Sequence, residues 1–352
     1  MRDQIRNQKS KIENKISRRA FLRLALLAAI GAVGAYIFKS TEPVGLGKML
    51  RWLWRGQTAR WFAPKSRVAL AACESYDANI LAALRRAWRD ARAPDLNNAR
   101  IVLKPNLVDF IAGYPTFTHP RVTQAMIHLA RELGARDIIV ADGPAFRRDA
   151  RAILDATGYT EMLAREKIAF VDLNYDDLVA VPLVGGYTRL KSLFIARTIA
   201  DADVFVSMPK LKTHHWTQMS ASVKNLFGIV PGIKYGWPKN TLHTTGIPVF
   251  LTELVESLPT RACAAVDGIV GLEGDGPIFG SAVPSGVLAV GTDLLAVDAT
   301  CARLIGLDPA RMDYLDFASW VGVGAIVESK IELVGDALAQ FARAYERPPR
   351  PE

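Results

Sequence analysis

The chain has 352 residues, half of them hydrophobic and 22% charged, enough to bury a large core in one α/β domain or two smaller ones. Its net charge of +9 is concentrated at the amino terminus: residues 1–40 sum to +7 and residues 41–67 to +5, leaving residues 68–352 at −3. A mildly acidic body excludes a general basic surface for phosphate backbones, so no nucleic-acid partner is expected and any anion site must be local.

The first element is the basic leader. Ser17-Arg18-Arg19-Ala20-Phe21-Leu22-Arg23, followed by an apolar run from Leu24 to Phe38, resembles a twin-arginine export signal, with Arg23 where lysine is commoner. An amphipathic helix with two chance arginines would not explain why the pair, the Phe-Leu and the apolar run come in that order. The resemblance implies the twin-arginine translocase as a partner and a periplasmic or cell-envelope location, reached in the folded state. The run is short for a membrane span, which needs about 20 apolar residues, and no clean Ala-x-Ala follows it. Residues 1–40 are therefore either a cleaved signal or a signal anchor. Residues 41–66 carry Trp52, Trp54, Trp61 and Phe62 among Lys and Arg. Two readings stand level: an interfacial segment, giving membrane contact through 24–65, or a linker helix whose tryptophans pack on the body.

From Arg67 onward apolar runs alternate with helical patterns. Strands are expected at 67–72, 100–108, 137–144, 203–210, 261–274 and 285–291, where the runs are short and continuous. Helices are expected at 79–91, 120–134, around 149–166, at 247–258 and at 294–306. In the first, Ile80, Leu81, Leu84, Ala87 and Trp88 share a face; the second has a proline near its start and a glycine at its end. A β-rich patch covers 168–195, with a Gly185-Gly186 turn. This alternation predicts an α/β fold: a largely parallel sheet covered by helices on both faces. It is Rossmann-like in plan, yet no G-x-G-x-x-G follows the first strand, so the dinucleotide fingerprint is missing. The domain should occupy 67–340, with 341–352 a disordered tail. Cys73, Cys263 and Cys301 stand singly without C-x-x-C spacing, so no iron–sulfur or structural zinc motif is present and buried free thiols are expected.

The polar residues fall where strands run out. Lys104 and Asn106 end one run, Asp142 the next, Lys210, Lys212 and His214 follow the third, and Asp267 and Glu273 belong to a fourth. In open parallel sheets ligands bind outside the carboxyl ends of strands, and one charged strand end is an ordinary cap whereas four imply a cleft.

Lys-Pro-Asn at 104–106, Thr-His-Pro at 118–120, Asp-Gly-Pro at 142–144 and Pro-Lys-Leu-Lys-Thr-His at 209–214 also resemble the family called domain of unknown function 362. So do the Ser220–Gly228 stretch with its Lys-Asn-Leu, Val266–Pro277, and Val297-Asp298-Ala299-Thr300. The resemblance spans roughly 67–325. Some relatives carry additional cysteine-rich clusters and are labelled iron–sulfur proteins; this chain lacks those cysteines, so that label is not carried over.

The residues allow two ligand-centred functions beside a purely structural role in an envelope assembly. In the first, an enzyme acts on a small anionic ligand: Lys104, Lys210 and Lys224 bind the charge, with Asn106 and Asn225 fixing orientation and Asp267 and Glu273 completing the polar cleft. His214 serves as acid or base, with Asp142 or Asp267 to orient it, and Lys212 as a base or nucleophile if burial lowers its pKa. In the second, a non-catalytic binding protein captures an anion or a metal at the envelope. A metal ion could be held by His214, His243 and Asp142, although none of these forms an i, i+4 pair and a lone histidine is more often a hydrogen-bonding residue. His128 reads as a packing residue and His119 as a helix cap.

Overall fold

A computed structural model describes residues 46–145, 148–188, 190, 192–236, 242 and 246–348. The leader therefore lies outside the described residues, as does His243.

In chain order the principal elements are α1 (Leu46–Phe62), β1 (Ser66–Ala72), α2 (Ile80–Asp90), β2 (Arg100–Pro105), α3 (Pro120–Glu132), β3 (Asp137–Asp142), α4 (Ala150–Thr157), α5 (Tyr159–Glu166) and β4 (Phe170–Asp172). A small hairpin, β5 (Leu178–Val181) and β6 (Leu193–Ala196), precedes β7 (Val204–Met208), β8 (Lys210–His214), β9 (Gln218–Ser220) and the short helix α6 (Ser222–Asn225). The chain then forms α7 (Ile247–Glu256), β10 (Arg261–Glu273), β11 (Ser281–Gly291), α8 (Leu294–Leu304), α9 (Asp313–Trp320) and β12 (Ile331–Gly335).

The main sheet has the order β12-β1-β11-β10-β7-β2-β3-β4, and every neighbouring pair is parallel except those made by β11. That exception follows from connection length: β10 and β11 form a hairpin, whereas parallel neighbours need a crossover. Strand alternation divides the core into two layers. Ala69, Ile101, Leu103, Val204 and Val206 face α2, α3 and α5, where Leu84, Trp88, Met126 and Met162 cover them. Val68, Leu70, Val102, Phe205 and Val266 face the other way, onto Phe250, Val297, Cys301 and Leu315 of α7, α8 and α9. The expected α/β sheet with helices on both faces is what forms.

Local signals set several boundaries. Asn79 caps α2 by accepting the Ala82 N–H at 3.0 Å, and His119 caps α3 by accepting from Arg121 N–H at 3.2 Å, the role expected for it. The strand expected at 203–210 is broken at Pro209, which has no N–H to donate. Its carbonyl accepts the Asp267 N–H at 2.9 Å, and the chain resumes as β8 beside the second half of β10. The run expected at 100–108 likewise stops at Pro105 as a strand.

Two expectations need correction. The first part of the supposed disordered tail, 341–348, is docked: Tyr345 is buried, its N–H donates to the Ile305 carbonyl at 3.1 Å, and Glu346 bonds to Glu273 and Gly274. The tryptophan-rich segment, for its part, divides its residues between the two readings. Along α1, Trp52, Arg55 and Gly56 share one stripe and meet the body: Trp52 Nε1 donates to the Gly185 carbonyl at 3.2 Å, Arg55 pairs with Glu256, and Gly56 lies against the Trp320 carbonyl. Met49, Leu53, Trp61 and Phe62 remain exposed, the last two at 73%. No described helix is long and apolar enough to cross a membrane. The three cysteines are buried free thiols, as expected.

Candidate functional site

Four elements deliver the site. β2 ends in Lys104-Pro105 and the chain leaves the sheet at Asn106; β3 ends in Asp142-Gly143; β8 presents Lys212 and His214; α6 presents Lys224 and Asn225. Apart from Pro105, all these residues line one cavity of about 210 Å³ at the carboxyl ends of the parallel strands. That is below the ~300–1,000 Å³ of sites that engulf a drug-sized molecule.

α6 has only four residues, and its position is set by a buried acceptor. Asp298 of α8 accepts from the Ser222 N–H at 2.7 Å, the Val223 N–H at 3.2 Å, the Ser222 hydroxyl and the Tyr314 hydroxyl at 2.9 Å. Burial nevertheless pushes its carboxyl up to about 6, against the pull of those donors. Asn225 is then fixed by giving its amide hydrogens to the Lys104 carbonyl and the Ser207 hydroxyl, both at 3.1 Å.

The floor of the cavity is an ion pair. Lys104 Nζ lies 2.6 Å from Asp142 Oδ1, both residues being almost completely buried, and it also donates to Asn225 Oδ1 at 2.9 Å. Burial pushes the Lys104 ammonium down, and the Asp142 carboxylate opposes it. Asp142 further accepts the Leu107 N–H at 2.6 Å and the Gly143 N–H at 2.7 Å. Three donors thus hold its two oxygens, and the carboxylate is a clamp for Lys104. Among the described residues no group of three His, Cys, Asp or Glu is arranged to hold a metal ion, and the third expected ligand, His243, lies outside them. The His214 ring accepts the Trp216 N–H at Nδ1, 3.1 Å away, which leaves the proton of the neutral ring on Nε2.

Lys212 and Lys224 differ from Lys104. Among the described residues neither forms an ion pair: Lys212 Nζ donates to the Thr116 carbonyl at 2.7 Å, and Lys224 Nζ stands 4.2 Å from the centre of the Phe227 ring. Burial first, then the neighbouring ammonium groups of Lys224 and Lys210, bring Lys212 down to about 7. Burial and then Lys104 bring Lys224 down to about 8. Beside them Asn106 Oδ1 is buried without a hydrogen-bond partner among the described residues, while its amide donates to Asn225 Oδ1 at 3.3 Å.

The structure separates the remaining expected residues from this cavity. Lys210 and Asp267 pair at 2.9 Å in a second buried cluster, where the Tyr76 hydroxyl and the His119 and Ile269 N–H groups complete the carboxylate's partners. Tyr76 stacks on His119 with ring centres 3.8 Å apart. Glu273 lies at the far end of β10 and accepts the Glu346 N–H at 2.9 Å, so it serves the docked tail rather than the cleft. Sequence reasoning overlooked two glycines. A Cβ on Gly228 would lie 2.4 Å from both Asp142 Oδ1 and Lys104 Cε, and one on Gly143 would lie 2.5 Å from the Gly228 carbonyl. The signal was their place just past polar motif residues, Gly143 directly after Asp142 and Gly228 after Lys224-Asn225-Leu226 with one residue between.

Fold and site together define an α/β protein with a lysine-rich, ion-pair-floored cleft at its strand ends. The chain belongs to the family described as domain of unknown function DUF362, whose profile matches residues 101–303. It is 32% identical over 258 residues to a thylakoid-associated protein of Synechocystis sp., a match covering 70% of this chain and 76% of that one. Among solved structures it is similar to the lactate racemase apoprotein of Thermoanaerobacterium thermosaccharolyticum, with TM-score 0.42, 11% identity and coverage of 71% of this chain and 58% of that one. A Thermotoga maritima protein gives TM-score 0.33 at 13% identity, covering 63% of this chain and 57% of the other.

Proposed function

We propose that the cleft binds a small anion and that the protein is an enzyme acting on it. The observation that carries this reading is the pair of ammonium groups on buried Lys212 and part-buried Lys224, which line a cavity and form no ion pair among the described residues. A buried cation without a counter-charge is costly, and a bound carboxylate or phosphate supplies the missing partner. Asn106 Oδ1 offers an acceptor to a hydroxyl or N–H carried by the same ligand. Lys212, poised near neutrality, is a base when uncharged, and the N–H at Nε2 of His214 adds a donor on the same wall, which is more than anion capture requires.

The location belongs to the same proposal. Export by the twin-arginine translocase and residence at the cell envelope are supported by the Arg18-Arg19 leader. The exposed Trp61 and Phe62 of α1 suit contact with a membrane surface. The Synechocystis relative, thylakoid-associated by name, agrees with that placement.

The test is a titration of phosphate and acetate into the full chain at pH 6.5, 7.5 and 9. Affinity should fall as pH rises through 7 to 8, because both lysines lose their charge in that range. Lys224→Met should weaken binding by about tenfold or more, the loss expected for a buried charge-assisted contact. Binding that ignores both pH and Lys224 would remove the basis of the reading. If a ligand copurifying with the protein is returned unchanged by wild type and by His214→Ala alike, the protein is a binder and not an enzyme.

A further inference from the structure

The cavity is too small to enclose much more than a charged head, and its mouth is aromatic. Trp216 lines the cavity with 60% of its surface exposed, its ring 6.2 Å from that of His214. Pro277 lines the cavity too, and two residues on, Phe279 is 59% exposed. The Phe279 ring meets that of Tyr114 edge to face, with centres 6.1 Å apart and planes at 88°. Tyr114 precedes by two residues the Thr116 carbonyl that receives Lys212 Nζ. One exposed aromatic, Trp216, thus lines the cationic pit, and an aromatic pair, Phe279 with Tyr114, stands two residues along the chain from its wall at Pro277. Large aromatics this exposed lose hydrophobic stabilisation unless something covers them, and such a patch beside a polar pocket marks a binding surface.

We propose that the natural ligand is an amphipathic organic anion: a carboxylate or phosphate head seated on Lys212 and Lys224, joined to an apolar body that leaves the cavity and lies against Trp216 and Phe279. This rests on the anion-site reading and adds the class of substrate. The division of labour is physical. The lysines and Asn106 recognise charge and orientation in a dry pit, where each contact is strong. The rim contributes flat apolar surface that tolerates different bodies, since stacking and edge-to-face contacts need no hydrogen-bond pattern. The head and the body are thus read by different residues and can be separated experimentally.

The experiment compares parent and phenyl-bearing anions by isothermal titration at pH 6.5: acetate with phenylacetate, and phosphate with phenyl phosphate. Each phenyl compound should bind about tenfold tighter than its parent, the gain expected from one well-placed aromatic contact with burial of its area. In Trp216→Ala combined with Phe279→Ala that advantage should vanish, each phenyl compound falling to the affinity of its parent anion measured in the same variant. Both residues are surface-exposed, so the variant is expected to fold, and its melting temperature checks this. Equal affinities for parent and phenyl anions, or an advantage that survives in the double variant, would overturn the proposal while leaving the anion site standing. Failure of all four compounds to bind would overturn the anion site itself.

Discussion

At the scale of single residues, the cleft depends on side chains that are absent as much as on those present. Gly228 carries no Cβ because Asp142 Oδ1 and Lys104 Cε already occupy that space, each 2.4 Å from where the atom would be. Neither neighbour can yield cheaply: Asp142 is tied to two backbone N–H groups and Lys104 to Asn225. Gly228→Ala should therefore strain or part a buried ion pair, costing about 1–3 kcal/mol as overpacking alone and more if the pair opens. Denaturant unfolding would measure it, and a loss under half a kilocalorie would mean that the pair relaxes freely. The same reasoning explains why Asp142, read from the sequence as an orienting or metal-binding group, is a clamp. A strand-end carboxylate looks identical in sequence whether its neighbours are donors or a metal.

At the scale of elements, β8 concentrates three cationic or ionisable residues at alternate positions, Lys210, Lys212 and His214, on one short strand. Their fates diverge because each meets a different neighbour: Asp267 neutralises Lys210, whereas Lys212 donates to a carbonyl and forms no ion pair among the described residues. The folded-state pKa of Lys212, about 7, lies below its ordinary 10.5. Between those values the unfolded chain binds more protons than the folded one, so this group makes stability rise with pH from about 7 upward; below 7 the cost of a charged, buried lysine is fully present. Lys212→Met should remove that cost, raising the melting temperature at pH 6.5 by about 2–5 °C and flattening the rise between pH 7 and 8. A thermal scan of the ligand-free protein at pH 6, 7 and 8 would show it; an unchanged slope would mean that Lys212 is solvated or paired in solution. Lys224, near 8, continues the rise above that pH.

At the scale of the whole molecule, α1 is fastened to the body along one stripe while Met49, Leu53, Trp61 and Phe62 stay exposed. The fastening depends on close approach. Gly56 sits where a Cβ would fall 1.8 Å from the Trp320 carbonyl, beside the Trp52–Tyr187 and Trp52–Trp320 ring contacts. Gly56→Leu should prise the helix from α9 without touching the cleft. Tryptic cleavage at Arg51 and Arg55 should then accelerate by about tenfold or more, corresponding to a local opening easier by roughly 1.4 kcal/mol, while anion affinity stays unchanged. Cleavage no faster than in the wild type would show that α1 is held by contacts other than this stripe.

How much of this was legible in the sequence depends on the range of the interaction concerned. Apolar periodicity specified the α/β architecture, because burial on two faces of a parallel sheet demands continuous apolar strands and one-sided helices. Polar residues at strand ends announced the cleft, and Lys104, Asn106, Lys212, His214, Lys224 and Asn225 do meet there. The motifs also identified the family. What sequence could not determine is which cations find counter-charges: Lys210 and Lys212 are two residues apart, but one faces Asp267 from β10 and the other an open cavity. Nor could it separate Glu273 from the cleft, since that requires knowing that the carboxy-terminal segment folds back to bond it. Periodicity is a property of neighbours along the chain and survives in one dimension. Charge pairing is a property of neighbours in space, and only the tertiary structure decides it.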